Sequence, residues 1–184
     1  MRIIAGEFKG KKLKIPEDYD IRPTQDRVKE SIFNVLGETI INSKVLDLFS
    51  GSGSLGIEAL SRGCQFAYFV DNSFKSINLI KKNLELLKNL ERSFKIIKSD
   101  AVDFLKKNKS IIWDFIFIDP PYKIESRVIS EICGIFSEKN ITDKNTVIIY
   151  EFFFKRDVSK EISNLKIIKE SFFGDKKVLY LSPA

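Results

Sequence analysis

One stretch restricts the fold more than any other: Val45-Leu-Asp-Leu-Phe-Ser-Gly-Ser-Gly-Ser-Leu-Gly56. Residues 45–49 read as a buried strand and residues 54–60 as a helix, with Gly51, Gly53 and Gly56 forming a G-x-G-x-x-G turn between them. Glycine gives the backbone positive φ and lets a ligand approach, because no Cβ stands in the way. Strand, glycine turn and helix in that order make a cofactor cradle. A tight strand-to-helix turn needs glycine for packing as well. The pattern alone therefore does not choose a ligand, and matched literally it points as readily to NAD.

The segments around the turn repeat its rhythm. Apolar runs at residues 66–70, 94–97, 113–118 and 146–151 predict strands, separated by helical patterns at 73–89, 101–107 and 126–137. Phe74, Ile77, Ile80, Leu84 and Leu87 fall at helical spacing and predict a core-facing stripe. Strand–helix alternation with nearly continuous apolar strands predicts a parallel sheet covered on both faces. The rhythm breaks at the end, where residues 165–173 and 176–181 flank Gly174-Asp175 as an antiparallel hairpin. These runs make seven strands, and with no repeat or linker the 184 residues read as a single domain, 1–184.

Composition narrows the chemistry. The chain has no histidine, which excludes serine–histidine and cysteine–histidine catalysis. Its two cysteines, Cys64 and Cys133, form no C-x-x-C pair, so no metal site is expected, and isolated thiols fit a reducing compartment. No run approaches the ~20 apolar residues of a membrane span, and no signal peptide is evident, so a cytoplasmic location and no membrane partner are expected. A net charge of +6 favours a polyanionic partner, nucleic acid first. A monomer is the default expectation.

Residues 1–20 alternate apolar and basic positions around a turn and predict an N-terminal β-hairpin appendage. Lys9, Lys11, Lys12 and Lys14 would give it a basic face suited to RNA, though lysines also protect edge strands from aggregation. Next, Arg22-Pro-Thr-Gln-Asp-Arg-Val-Lys-Glu-Ser-Ile-Phe-Asn34 predicts a helix with Thr24 as N-cap and Val28, Ile32, Val35 and Leu36 as its apolar stripe. Arg22, Thr24 and Arg27 cluster at its entrance, where amides and cations suit a carboxylate, or simply a solvated cap.

In an open parallel sheet, ligands sit outside the C-terminal ends of the strands. Asp47, Asp71, Asp100 and Asp119 lie on or just after four successive predicted strands. Asp71 follows Gly51 by twenty residues, the spacing at which an acid accepts hydrogen bonds from ribose hydroxyls. Each acid alone might be a helix cap; four along one sheet edge point to a nucleoside-containing cofactor.

The fourth strand runs directly into Asp119-Pro120-Pro121-Tyr122. Pro-Pro ends a strand, but strand termination needs neither an acid before it nor an aromatic after it. The four residues resemble the D-P-P-Y signature of amino-group methyltransferases that use S-adenosyl-L-methionine, and residues 45–53 resemble their first cofactor motif. Met1-Arg-Ile-Ile-Ala-Gly6, the Arg22-Pro-Thr block, residues 47–62 and D-P-P-Y together resemble the RsmD family, whose members methylate N2 of one guanine in bacterial small-subunit (16S) ribosomal RNA. The resemblance spans nearly the whole chain.

It implies a Rossmann-like class I methyltransferase fold of the α/β class, a mostly parallel seven-stranded sheet with the C-terminal hairpin. The turn from Asp47 through Phe49 and Gly51 to Gly53 would hold the methionine part of the cofactor, aided by Arg22 and Thr24. Asp71 would bind the ribose, in a place where glutamate is more usual, and Asp100 with Ala101 the adenine. Asp119, Pro120, Pro121 and Tyr122 would receive the target base, in ribosomal RNA or the small subunit.

The nearest rival is an amino-directed DNA methyltransferase (N6-adenine or N4-cytosine). It shares D-P-P-Y but usually adds a recognition domain for which 184 residues scarcely leave room. A nicotinamide-dependent oxidoreductase gives no reason for D-P-P-Y, and a catalytically idle RNA-binding assembly factor gives none for intact motifs.

Overall fold

In the computed structural model the alternation forms one seven-stranded sheet with helices on both faces. The structure describes residues 1–16, 23–88, 90, 93–108, 110–138 and 141–184, with the side chains of Pro23 and Thr24 outside that description. In chain order the elements are α1 (Pro23–Leu36), a 3-10 turn (Gly37–Ile40), β1 (Lys44–Leu48), α2 (Ser54–Ser61), β2 (Phe66–Asp71), α3 (Phe74–Leu84), β3 (Ser93–Lys98) and α4 (Ala101–Lys107). Then follow β4 (Phe115–Ile118), α5 (Ser126–Ser137), β5 (Val147–Phe153), β6 (Leu165–Phe173) and β7 (Lys176–Pro183).

The strand order is β3-β2-β1-β4-β5-β7-β6. The first five strands run parallel, and β7 pairs antiparallel with both β5 and β6. The expected terminal hairpin thus inserts its second strand beside β5 and leaves β6 at the edge. The strand order reverses between β1 and β4, because the chain builds β2 and β3 on one side of β1 and then crosses to the other, and a crevice at such a switch point is where open α/β sheets take their ligands.

Period-two alternation sorts the strand side chains onto two faces. Leu46, Leu48, Ile116, Ile118, Ile148 and Tyr150 pack under α4 and α5. Val45, Ala67, Phe69, Phe117 and Ile149 pack under α1, α2, α3 and the N-terminal segment. Both faces are covered, which is why these strands carry apolar residues at nearly every position.

Three expectations change. The N-terminal segment is an arch closed by a single bridge, Arg2 to Lys12, rather than two regular strands. It is also less of an appendage than expected, since Ile3, Phe8 and Leu13 are buried in the core beneath α2 and α3. The buried Glu58 carboxylate accepts the Ile4 and Ala5 N–H groups at 2.8 and 3.0 Å and faces the buried Lys29 ammonium at 3.7 Å. Lys29 in turn donates to the Arg2 carbonyl and Ser54 Oγ. Burial lowers the Lys29 pKa, partly offset by Glu58 and Asp26.

The other two concern helices. α1 begins at Pro23, so Thr24 lies inside its first turn instead of capping it; proline suits that position because its missing N–H has no partner there anyway. α3 ends at Leu84 rather than near residue 89, because Leu86 and Leu87 donate to the carbonyls three residues back. Leu87 still reaches the core, but Phe74 is 69% exposed and rests against the Lys98 ammonium. Phe74 is the first residue of α3 and stays exposed there, so helical spacing alone misplaces that ring.

Candidate active site

The cradle is built from inside. Asp47 lies in β1 on the α2 face, and its buried carboxylate accepts the Gly56 N–H at 2.9 Å, tying the strand to the following helix. Phe49 turns the chain with φ of 59°, and Gly51 and Gly53 continue it at 55° and 77°. Ser50 Oγ locks the turn by donating to the Asp47 and Val70 carbonyls. Gly56 and Gly51 have separate reasons. A Cβ on Gly56 would stand 2.3 Å from the Phe69 ring, so that glycine serves packing; at Gly51 it would meet only the Phe49 carbonyl at 3.9 Å, so the space above it is open.

Asp71 closes the other side. One carboxylate oxygen accepts the Gly51 N–H at 2.9 Å and the other the Ser73 N–H at 2.8 Å. The acid expected to bind ribose therefore also fixes the glycine turn. Asp100 is exposed and caps α4 by accepting the Val102 N–H at 2.9 Å, with the buried Ala101 beside it. Asp100 is thus the cap of α4, whereas Asp71 stands two residues before Ser73, which caps α3, and each carboxylate keeps lone pairs that its local bonds do not use.

β1 and β4 are direct neighbours, with Leu48 opposite Ile118, so Phe49 at the cradle and Asp119 of D-P-P-Y leave the sheet side by side. Asp119 and Asp71 are close enough to Asp47 to raise its pKa further, on top of the larger effect of burial and against the Gly56 N–H. Burial and neighbouring acids make ionisation of Asp47 costly, and a cation bound beside it would relieve that cost. That charge pattern and the open space above Gly51 fit a sulfonium cofactor better than a dinucleotide diphosphate. Among the described residues no cluster suits a metal ion.

Beyond Asp119 lies a cleft of about 550 Å³, bordered by Pro120, Pro121, Tyr122, Glu151, Phe153 and Arg156. Pro120 is buried while Pro121 and Tyr122 are exposed. Glu151 and Lys176, both buried, form an ion pair between β5 and β7 behind this cleft. The Asp119 carboxyl is pushed up to about 8, by burial first and the Glu151 charge second, with Lys176 pulling the other way. Burial also works against the Lys176 ammonium, but Glu151 and Asp119 outweigh it and hold its pKa above the ordinary value.

Of the predicted residues, Asp47, Phe49, Gly51, Gly53, Asp71 and Asp119 to Tyr122 gather around the switch between β1 and β4, while Asp100 and Ala101 stand at the end of β3. Arg22 lies outside the described residues, as does the side chain of Thr24. Arg27 borders a separate cleft of about 490 Å³ between the arch and α1, where Asp26 and Glu30 offset its charge. Glu151 and Lys176 had no predicted role. The rule that singled out acids at strand ends applies to Glu151 in β5 as well, but Lys176 meets it only through the antiparallel insertion of β7.

Residues 1–182 match the family described as Conserved hypothetical protein 95. The chain is 40% identical over 154 residues to the ribosomal RNA small subunit methyltransferase D of Haemophilus influenzae, covering 82% of this chain and 78% of that one. The solved structure of yhhF from Escherichia coli superposes with a TM-score of 0.82 at 30% identity, covering 100% of this chain and 97% of that one. The Thermus thermophilus 16S rRNA N2 methyltransferase RsmC, solved with AdoMet and guanosine, shares the fold at a TM-score of 0.70 and 17% identity, covering 91% of this chain and 45% of that one. The match over almost the full length, carried by a Rossmann-like class I methyltransferase fold, places this chain in the RsmD family.

Proposed function

We propose that this protein transfers a methyl group from S-adenosyl-L-methionine to the exocyclic N2 amino group of a guanine in small-subunit ribosomal RNA. The observation that carries the reading is the β1–β4 register, which sets the glycine turn and D-P-P-Y side by side at the switch point. The family's methyltransferase D members and the AdoMet and guanosine held by RsmC in the same fold support it.

Gly51 and Gly53, with Asp47 beneath and Phe49 beside them, would hold the methionine part; Asp71 would take the ribose hydroxyls, and Asp100 with Ala101 the adenine. Arg22 and Thr24 are proposed to assist. When bound, the cofactor supplies a methyl group already activated by its sulfonium. The residues of the chain then have one task, to make a poor nucleophile attack in line. A guanine amino nitrogen shares its lone pair with the ring. The Asp119 carboxylate and Pro120 carbonyl accept its two N–H bonds and draw it toward tetrahedral geometry, and proline fixes their direction. Asp119 is then placed to take the proton that the methylated nitrogen sheds. Tyr122, 63% exposed at the cleft, stacks on the extruded base. Holding nitrogen and methyl in line accounts for much of the rate.

The chain works as a single domain, a monomer in the cytosol. No helix among the described residues is long and apolar enough to cross a membrane. The N-terminal segment, residues 1–20, is a proposed RNA contact. Lys9, Lys12 and Lys14 are exposed there, whereas Lys11 is committed to the Leu86 carbonyl at 2.8 Å.

The test is tritiated methyl transfer to naked small-subunit rRNA, to assembled subunits and to duplex DNA, with calorimetry of S-adenosylhomocysteine against NAD. Label in rRNA or subunits and binding of S-adenosylhomocysteine alone are expected. Label confined to DNA, or preference for NAD, overturns the reading.

A further inference from the structure

Three aromatic rings leave the D-P-P-Y cleft in contact with one another. Tyr122 meets Phe153 edge-on at 6.5 Å and 79°, and Phe153 meets Phe154 at 5.4 Å and 56°. They are exposed by 63%, 37% and 43%, although core packing claims most other phenylalanines in this chain. Phe153 is the last residue of β5, and Phe154 begins the turn that follows. That turn is fixed: Phe154 donates its N–H to the Asp175 carbonyl at 3.0 Å, and Arg156 is paired with the buried Glu161 at 2.7 Å. The two phenylalanines are therefore held out by a braced turn. Lys155 lies 5.7 Å from the Phe154 ring centroid, so the ledge is aromatic and cationic at once.

We infer that Phe153 and Phe154 form a stacking ledge for the nucleotide next to the target guanine in single-stranded RNA. The proposal rests on the methyltransferase reading above. Extruding one base from a stack exposes the faces of its neighbours, which then need new partners. An aromatic ring accepts any base face without reading its edge, and a lysine beside it suits the adjoining phosphate. The ledge begins at Tyr122, where the target base stacks, and runs outward over the protein surface. Geometry of this kind selects single-stranded RNA over a duplex, whose bases already stack on each other.

The experiment measures equilibrium binding of the full chain to a fluorescent single-stranded RNA oligonucleotide and to the same strand annealed into a duplex. S-adenosylhomocysteine affinity serves as a control for folding. Phe154→Ala is expected to weaken single-strand binding about tenfold, to change duplex binding by less than about twofold, and to leave S-adenosylhomocysteine binding unaltered. Phe154→Trp restores the single-strand affinity. Single-strand binding within about twofold of wild type in Phe154→Ala, or an equal loss on strand and duplex, overturns the ledge. Methyl transfer to rRNA by the wild-type chain is read separately, so failure of the ledge and failure of the proposed function remain distinguishable.

Discussion

The glycine cradle and the D-P-P-Y cleft adjoin each other but are made differently. The cradle comes mostly from one contiguous stretch whose polar groups bond to each other: Asp47 to Gly56, Gly51 to Asp71, Ser50 to Val70. The cleft is assembled from residues 119–122, 151–156 and 175–176, which only the sheet brings together. It keeps exposed aromatics and a buried ion pair beside a carboxyl with a strongly raised pKa. On the proposed function the preformed cradle would hold the cofactor, and the exposed rings and perturbed acid would act on the target base. The difference teaches that, on this proposal, binding and chemistry would occupy separate, separately breakable regions.

The largest effect should come from the cleft. Asp119→Ala is expected to cut methyl transfer by about a thousandfold or more, the scale of losing a group that acts in the transition state. S-adenosylhomocysteine affinity by calorimetry should stay within a fewfold of wild type. Near-normal turnover would remove Asp119 from its role.

Gly56→Ala breaks the other region. Its new Cβ would overlap the Phe69 ring, and overpacking of this kind costs about 1–3 kcal/mol. Cofactor affinity and melting temperature should fall together, in contrast to Asp119→Ala. An unchanged melting temperature would mean that α2 and β2 can move apart freely.

Next comes Tyr122→Ala, expected to raise the KM for RNA about tenfold through lost stacking while cofactor affinity stays nearly constant. The opposite order in calorimetry and kinetics would count against base stacking.

The smallest effect is in pH dependence. Ionised Asp119 accepts the amino N–H more strongly and can take the proton shed, so kcat/KM should rise with pH and level off above about 8, where the carboxyl has lost its proton. Lys176→Met removes the charge that favours ionisation and should move the rise to higher pH, by roughly one unit. Glu151→Gln removes the charge that opposes ionisation and should move it lower. Profiles that shift together, or not at all, would separate the ion pair from Asp119.

The same contrast explains what was legible in the sequence. The cradle could be read because its signals are local: period-two apolar residues, glycines at fixed spacing and an acid at the next strand end. D-P-P-Y could be read because the acid and the aromatic exceed what a strand terminus requires. The pairing of Lys176 with Glu151 could not, since it depends on β7 entering the sheet antiparallel beside β5. Phe153 and Phe154 look like ordinary core residues in the string Tyr-Glu-Phe-Phe-Phe, and only the end of β5 puts them outside. Phe74 erred in the opposite direction, on the core stripe by spacing yet exposed at the first turn of α3. The alternation of residues 1–20 signals a basic hairpin, but the attachment of the arch through Glu58 and Lys29 depends on tertiary contacts that no local pattern carries.

The central claim is that this chain makes N2-methylguanosine in small-subunit rRNA with chemistry centred on Asp119. Its most direct test is nucleoside mass spectrometry of unmodified small-subunit rRNA after incubation with S-adenosyl-L-methionine and either the wild-type chain or Asp119→Ala. N2-methylguanosine with the wild type and essentially none with the variant is the predicted result. A methylated adenine or cytosine in its place, or equal product from both proteins, would contradict it.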